Sequence, residues 1–502
     1  MKKQNNAAPF PSDARNMLEL IKYSLCGGEA PEIRDFGPVF AEMKAQSVDL
    51  LPLTKNRFAA VVTSAEDSCA DDSSDKEKEK QKRAENSGKK EESSAKKEES
   101  SAKKEESSAE AKRDFVQTEE YFYKAEKTVR AEDVSEKAKE KSAKAEKTPE
   151  KSEKASCSKD KTANEQTVLS GMKDRLEKAG MKGTVKYIRI LAAENELTEL
   201  LEPYGIKPVV IKGTSAGMYY PDPKYRRYGD IDFVPVGGTA EQVRDIMLAA
   251  GYTYEHEYDE RGDLANARHI NLGKDGISFE LHRIVDSDGK EGHDPVGDAI
   301  RAAVPVKRTL EGLSFYSAPD AENGLALIWH IRHHLSSGIG LRQFTDWAAF
   351  VGSVLTDDVW ETSFRALAEK CGLCKLAVHA TSLCEKYLGA PHRKFAEEAD
   401  GDVTDALMAD VMESGNFGRK RGYVESRVAN AKEFGNIFVR LQRGGLSRWK
   451  ATWKHRWLRP FAWAYQLVAV SGELLKRPAE ALRMGWYRKK LKKRKKLLAS
   501  LK

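Results

Sequence analysis

Residues 63–114 contain no Val, Ile, Leu, Met, Phe, Tyr or Trp. A segment without large apolar side chains cannot bury enough surface to offset the entropy of ordering it. Inside it the heptapeptide KKEESSA occurs three times in tandem over 89–109. A seven-residue period suggests a coiled coil, but the repeat has no apolar position larger than alanine and so no seam. Sparse apolar residues return at Phe115, Val116, Tyr121, Phe122 and Tyr123 and vanish again over 135–167. Residues 61–165 are therefore expected to form a disordered Lys/Glu/Ser-rich insertion, which leaves 1–60 and roughly 166–440 as folded material.

Other features are scarce too. The six cysteines are scattered, and Cys69 and Cys157 fall within the insertion, which excludes a disulfide framework. The CGLC stretch, with His379 and Cys384 nearby, invites a zinc reading. Yet Cys371, Cys374, Val378 and Thr381 follow helical spacing among Leu and Ala, the pattern of thiols that fill a core. No apolar run backs the lysines near the N-terminus, so no secretory signal is expected. The longest apolar stretch, FAWAYQLVAV, has ten residues, too few to span a bilayer. The expected location is the cytoplasm, with peripheral membrane contact open.

Acidic residues are nearly missing from the end of the chain. Over 440–502 there are nineteen Lys and Arg against Glu473 and Glu480, so the overall charge of +7 conceals an acidic remainder. Trp449, Trp453, Trp457, Trp463 and Trp486 are interleaved with these cations. Such a tail suits RNA or an anionic membrane surface. A solvated helical tail whose tryptophans dock on the body is equally compatible.

Against these absences stand the periodic segments. Residues 14–48 carry apolar residues at helical spacing around a turn at CGGEAPE, as do TVLSGMKDRLEKAGM and TVKYIRILAAENELTELLEPYG, the latter closed by Gly205. IKPVVIKG then reads as a short buried strand ending on glycine, TSAGMYY as a helix start, PDPKYRR as a loop and DIDFVPV as a second strand. AEQVRDIMLAAGY is an amphipathic helix, and HINLGKDGISFELHRIV holds two strands joined at GKDG. From about 321 the pattern is helical again. The expected class is α+β, a small mixed-sheet core with flanking helical regions.

Within this core the strand DIDFVPV places Asp230 and Asp232 at i and i+2, side chains on one face. Two like charges there repel unless a cation lies between them, which points to a divalent metal. A site that transfers phosphoryl groups with two metals needs a third carboxylate from a neighbouring strand, and Glu280, between Phe279 and Leu281, supplies it. Upstream, Gly213 lets backbone N–H groups approach a triphosphate, Thr214 and Ser215 add hydroxyl donors, and Lys212 or Arg226 offsets phosphate charge. Each piece recurs by chance; their order and placement carry the reading. HIRHH puts His330, His333 and His334 on one helix face, but Ile331 stands where a zinc protease needs Glu, so packing near the cleft is the expected role.

The stretches VVIKGTSAGMYYPDPKYRRYGDIDFVPV and RHINLGKDGISFELHRIV resemble the uncharacterised bacterial nucleotidyltransferase family of the DNA polymerase beta-like superfamily. The likeness rests on Lys212, Gly213, Tyr220, Pro221, Arg226, Gly229, Asp230, Asp232, His269, Glu280 and His282, and on WHIRHHLSSGIGLRQFTDWAAFV further on. The wider superfamily has G-S or G-G after the first strand; here Gly213-Thr214 stands there, with Ser215 one place later. The resemblance implies transfer of a nucleoside monophosphate from an NTP to an acceptor with release of pyrophosphate. It also implies two Mg²⁺ or Mn²⁺ ions on Asp230, Asp232 and Glu280, with His282 and His269 behind them.

The domain layout expected is an N-terminal helical segment (1–60), the insertion (61–165), a nucleotidyltransferase core (166–320), a helical region (321–440) and the basic tail (441–502). Two other functions compete on the D-x-D alone: a glycosyltransferase using a nucleotide sugar, and a non-catalytic nucleotide-binding or scaffold protein. The acceptor has no signature in the sequence.

Overall fold

The structure, a computed structural model, describes residues 10–27, 31, 33, 36–50, 159–255, 268–286, 293–335, 338–415 and 456–501. Two compact units divide the chain: Met1–Cys69 with Leu169–Lys502, and Ala70–Val168. The expected insertion 61–165 lies outside the described residues up to 158, and from Lys159 onward the chain is helical. Trp449 and Trp453 of the tail also lie outside the described residues.

The first unit opens with α1 (Ser12–Cys26) and α2 (Phe36–Gln46). Helix α3 (Lys159–Leu201) is one continuous element where the sequence suggests two segments. A 3₁₀ turn follows and ends at Gly205 with φ 72°, the left-handed conformation that favours glycine. Then come β1 (Lys207–Val210), the short α4 (Gly213–Gly217), β2 (Ile231–Val236), α5 (Ala240–Ala249), β3 (Thr253–Tyr254), β4 (His269–Lys274) and β5 (Ile277–His282). After α6 (Pro295–Ala302) a second hairpin, β6 (Val306–Leu310) and β7 (Leu313–Ser317), completes the sheet. The remaining long helices are α7 (Asp320–Leu335), α8 (Leu341–Ser353), α9 (Cys374–Leu388), α10 (Gly401–Ser414), α11 (Arg459–Leu475) and α12 (Met484–Ser500).

The seven strands form one mixed sheet in the order β3-β4-β5-β2-β1-β7-β6. β1 runs antiparallel to β2 and parallel to β7, while β2 runs parallel to β5. The class is thus α+β with a mixed sheet. The hairpin β6–β7 is an addition to the elements read from sequence. Both hairpins turn on two residues with positive φ, Asp275 (51°) and Gly276 (73°), then Glu311 (49°) and Gly312 (78°), the tight turns whose twist matches antiparallel strands.

Alternation along the strands splits the core in two. Ile231 and Phe233 of β2, Phe279 and Leu281 of β5, and Ile270 and Leu272 of β4 share one face and pack with Leu191 and Leu197 of α3 and Val243 and Met247 of α5. Val209, Ile211 and Val234 look the other way and join a larger cluster with α7 to α10. Met17, Leu20 and Ile21 of α1 belong to that second cluster, beside Trp347, Phe344 and Phe350 of α8. Cys371, Cys374 and Cys384 are free thiols in or against this cluster, as their helical spacing implies. Asp232 and its neighbours lie on the face that meets α7.

Candidate active site

The site begins where β1 ends. Ile211 donates its N–H to the carbonyl of Asp232 at 2.9 Å, so β1 and β2 are still paired at this level. Lys212 then takes φ 75° and ψ −151°, a region that costs a non-glycine residue roughly 1–3 kcal/mol. That conformation sets the ammonium 2.7 Å from Asp232 Oδ1, with Nζ 5.6 Å from the centre of the Trp329 ring.

On β2 and β5 the parallel register pairs Asp232 directly with Glu280. Residues opposite each other on adjacent strands share a face, so the two carboxylates stand side by side. His282 is two residues beyond Glu280 on the same strand and returns to that face. Its Nε2 is 3.0 Å from Asp232 Oδ1 and 3.8 Å from Glu280 Oε2. On β4 the partner opposite His282 is His269, ring centres 5.5 Å apart. Ligand atoms of Asp232, Glu280 and His282 all fall within 4.8 Å of one another, the one such group of metal-ligating side chains among the described residues.

The electrostatics are polarised. Burial opposes ionisation of Asp232, but Lys212 and His282 outweigh it and hold the carboxyl below the usual range. Burial and then the adjacent Asp232 push Glu280 up to about 8. At neutral pH the pair therefore keeps a proton that a stronger local cation would displace. His282 Nδ1 is buried with no hydrogen-bond partner among the described residues.

These groups line a cavity of about 240 Å³, bounded by Asp230, Asp232 and Glu280 on the sheet side and by Trp329, His330 and His333 of α7 on the other. Lys212, Arg226, Arg268 and Arg342 also reach its wall. Burial lowers His333 to about 4 and His334 to about 3, and drives His330 down as well. This wall of the cavity is accordingly neutral imidazole at physiological pH. It extends the packing role read from HIRHH: the three rings line the cleft.

The expected site residues are not all brought together. Asp230 lines the cavity but precedes the first residue of β2, is exposed, and stands outside the tight Asp232–Glu280–His282 group. It faces Lys186 of α3, whose ammonium burial pushes down while Asp230 pulls it up. Thr214 and Ser215 do not line the cavity. Both are fully buried, Thr214 Oγ1 donating to Glu194 Oε1 at 2.9 Å and Ser215 Oγ to the Val210 carbonyl at 2.7 Å. Their hydroxyls secure the turn on α3 and β1. Arg226 lines the wall, with its Nε and a terminal nitrogen on Asp346 of α8, each at 2.8 Å. Tyr220 donates to the same carboxylate at 2.6 Å. Gly213 borders the cavity with φ 48°.

Sequence reasoning missed Glu194 and Lys186, which come from a helix well upstream with no local motif, and Arg268 and Trp329. His282, expected behind the carboxylates, lies with its Nε2 3.0 Å from Asp232 Oδ1.

Residues 155–389 match the model of a family described as "Uncharacterised nucleotidyltransferase". Among solved structures, the chain is similar to an antigenic nucleotidyltransferase-like protein from Paracoccidioides brasiliensis, at 14% identity over 41% of this chain and 94% of that one, with a TM-score of 0.28. No curated protein matches the chain. The family match supports nucleotidyl transfer as the general activity.

Proposed function

We propose that the chain is a metal-dependent nucleotidyltransferase, moving a nucleoside monophosphate from an NTP to a hydroxyl or similar acceptor and releasing pyrophosphate. The observation that carries this is the register of β2 on β5, which sets Asp232 beside Glu280 with His282 next along the strand. A buried and a half-buried carboxylate side by side, one of them holding a proton against its ordinary tendency, with an imidazole nitrogen within 4.8 Å of both, fit a divalent cation. The donor set of oxygens and one nitrogen suits Mg²⁺ or Mn²⁺. Bound there, such an ion would neutralise phosphate charge and acidify an acceptor hydroxyl.

The chain's own residues have separable tasks. Asp232 and Glu280 would hold the cation, and Asp230, the first carboxylate of the D-x-D and part of the cavity lining, would serve a second ion. His282 orients Asp232 through its Nε2 contact. Lys212 and Arg268 offset the charge of the triphosphate, and the turn at Gly213 leaves backbone room for it. Arg226 acts at a distance, tying the loop before β2 to α8 through Asp346. A cavity of about 240 Å³ is small beside the ~300–1,000 Å³ of whole-ligand sites. It accommodates the triphosphate and the reacting end of an acceptor, with the base outside.

The test is incubation of the full chain with each labelled NTP, Mn²⁺ or Mg²⁺ and a cell extract, against Asp232→Asn. The expected result is labelled acceptor and released pyrophosphate with the wild type and a loss of at least a hundredfold in the variant. Equal labelling by both proteins, or labelling that survives chelation, overturns the assignment.

A further inference from the structure

The two C-terminal helices present a surface that nucleotide chemistry does not use. Helix α11 turns Ala462 and Gln466 inward, 2% and 5% exposed. On its outer side stand Phe461, Tyr465, Val468 and Leu475, at 59%, 55%, 72% and 81% exposure. Their spacings of four, three and seven residues describe a single helical face. Trp457, one turn earlier and 70% exposed, extends the row, and Trp486 at the start of α12 is 55% exposed. Side chains of this size are ordinarily the first to be buried, and a run of them on one face marks a contact surface.

Helix α12 is sided in a complementary way. Arg494 is buried, its Nε 2.7 Å from Asp410 of α10 and a terminal nitrogen on the Leu335 carbonyl, and Tyr487 and Leu501 are buried too. Lys490 pairs with Glu413 at 2.6 Å. These contacts seat the helix on the body and leave Lys489, Lys492, Lys493, Lys495 and Lys496 exposed. An apolar row and a cationic row thus belong to two helices joined through the short helix Pro478–Leu482, the second of them seated on the body.

We propose that this segment is a docking surface for an anionic lipid bilayer, lying on the membrane without crossing it. Phe461, Tyr465, Val468 and Leu475 would enter the boundary between headgroups and acyl chains, and the lysines would meet the lipid phosphates through their long stems. The aliphatic members of the row select this occupant. A nucleic acid would use the lysines and stack on tryptophan or tyrosine, but Val468 and Leu475 offer a base nothing. Crossing is excluded for the described helices, none of which is long and apolar enough, and α11 carries Arg459 and Glu473 within its seventeen residues.

Flotation of the full chain with vesicles of phosphatidylcholine alone, or with 30% phosphatidylserine, tests the proposal. Two variants are compared with wild type: Phe461→Ser with Val468→Ser, and the five exposed lysines changed to Gln. All replaced side chains are exposed, so thermal midpoints should match. The expected result is binding to the anionic vesicles with a blue shift of tryptophan emission, and at least a tenfold loss of affinity in each variant. No binding to the anionic vesicles overturns the proposal. So does full binding by the serine variant while the glutamine variant fails, which would make the surface a generic polyanion site, with structured RNA as the comparison ligand. Neither outcome touches the nucleotidyltransferase reading, whose residues are elsewhere.

Discussion

Replacing Glu194 by Gln should make the protein more stable at neutral and alkaline pH and leave it nearly unchanged in mild acid. Glu194 is 1% exposed, accepts from Thr214 through Oε1, and has no partner for Oε2 among the described residues. Burial pushes its pKa up to about 8 from an ordinary 4.5. Below pH 4.5 the folded and unfolded chains both carry the proton, and the carboxyl costs nothing extra. As pH rises, the unfolded chain releases the proton while the folded one keeps it, so stability falls through the interval until the folded group ionises near pH 8. At ~1.4 kcal/mol per pH unit, the loss at pH 7 is on the order of 3 kcal/mol. Glutamine keeps the shape, stays neutral in both states and removes the slope. Urea denaturation of wild type and Glu194→Gln at pH 5, 6, 7 and 8 reads this directly. The two should agree within about 1 kcal/mol at pH 5 and diverge by roughly 3 kcal/mol at pH 7 and about 4 kcal/mol at pH 8 in favour of Gln. A difference that stays constant with pH would show that the carboxyl is ionised throughout and refute the reasoning.

Two further outcomes follow from the same geometry. Arg226→Gln should destabilise by about 3–5 kcal/mol, because it strands a buried Asp346. Lys386→Gln, whose pair with Asp405 leaves both side chains about half exposed, at 51% and 45%, should cost no more than about 1 kcal/mol; equal losses in chemical denaturation would contradict the distinction. Lys212→Met should tighten Mn²⁺ binding to the nucleotide-free protein severalfold, since the ammonium now occupies Asp232, yet weaken NTP binding tenfold or more. Titrations in which both affinities fall together would mean Lys212 is only a structural prop.

Much of the core was legible because short-range rules govern it. The strands at DIDFVPV and ISFELH, the glycine after β1 and the Asp275-Gly276 turn are local features, and each emerged where the residues placed it, although Asp230 falls just before β2. The hairpin β6–β7 carries the same kind of signal, alternation in VKRTL and LSFYS around Glu311-Gly312, so it was readable though unread. The direction of a hydroxyl is another matter. Thr214 and Ser215 look like phosphate donors until α3 supplies a buried Glu194 and β1 a carbonyl, and neither partner is near in sequence. Arg226 likewise belongs to Asp346, and only the fold brings the two together. His282 needed the parallel register of β5 on β2, which no pattern of single strands encodes. Of the expected insertion 61–165, the part up to 158 lies outside the described residues, as do Trp449 and Trp453.

The placement of α1 has a consequence for how the protein is made. Cys26 Sγ donates to the Leu388 carbonyl 362 residues further on, and Gln46 Nε2 to the Met412 carbonyl 366 residues on. At ribosomal rates of roughly 5–20 residues per second, about 20–70 s pass between synthesis of α1 and α2 and emergence of these partners. Throughout that interval Met17, Leu20 and Ile21, fully buried in the finished fold, have no α9 or α10 to cover them. Helices α1 and α2 close the larger core only when α9 and α10 arrive, and until then they are an apolar face for a chaperone to hold.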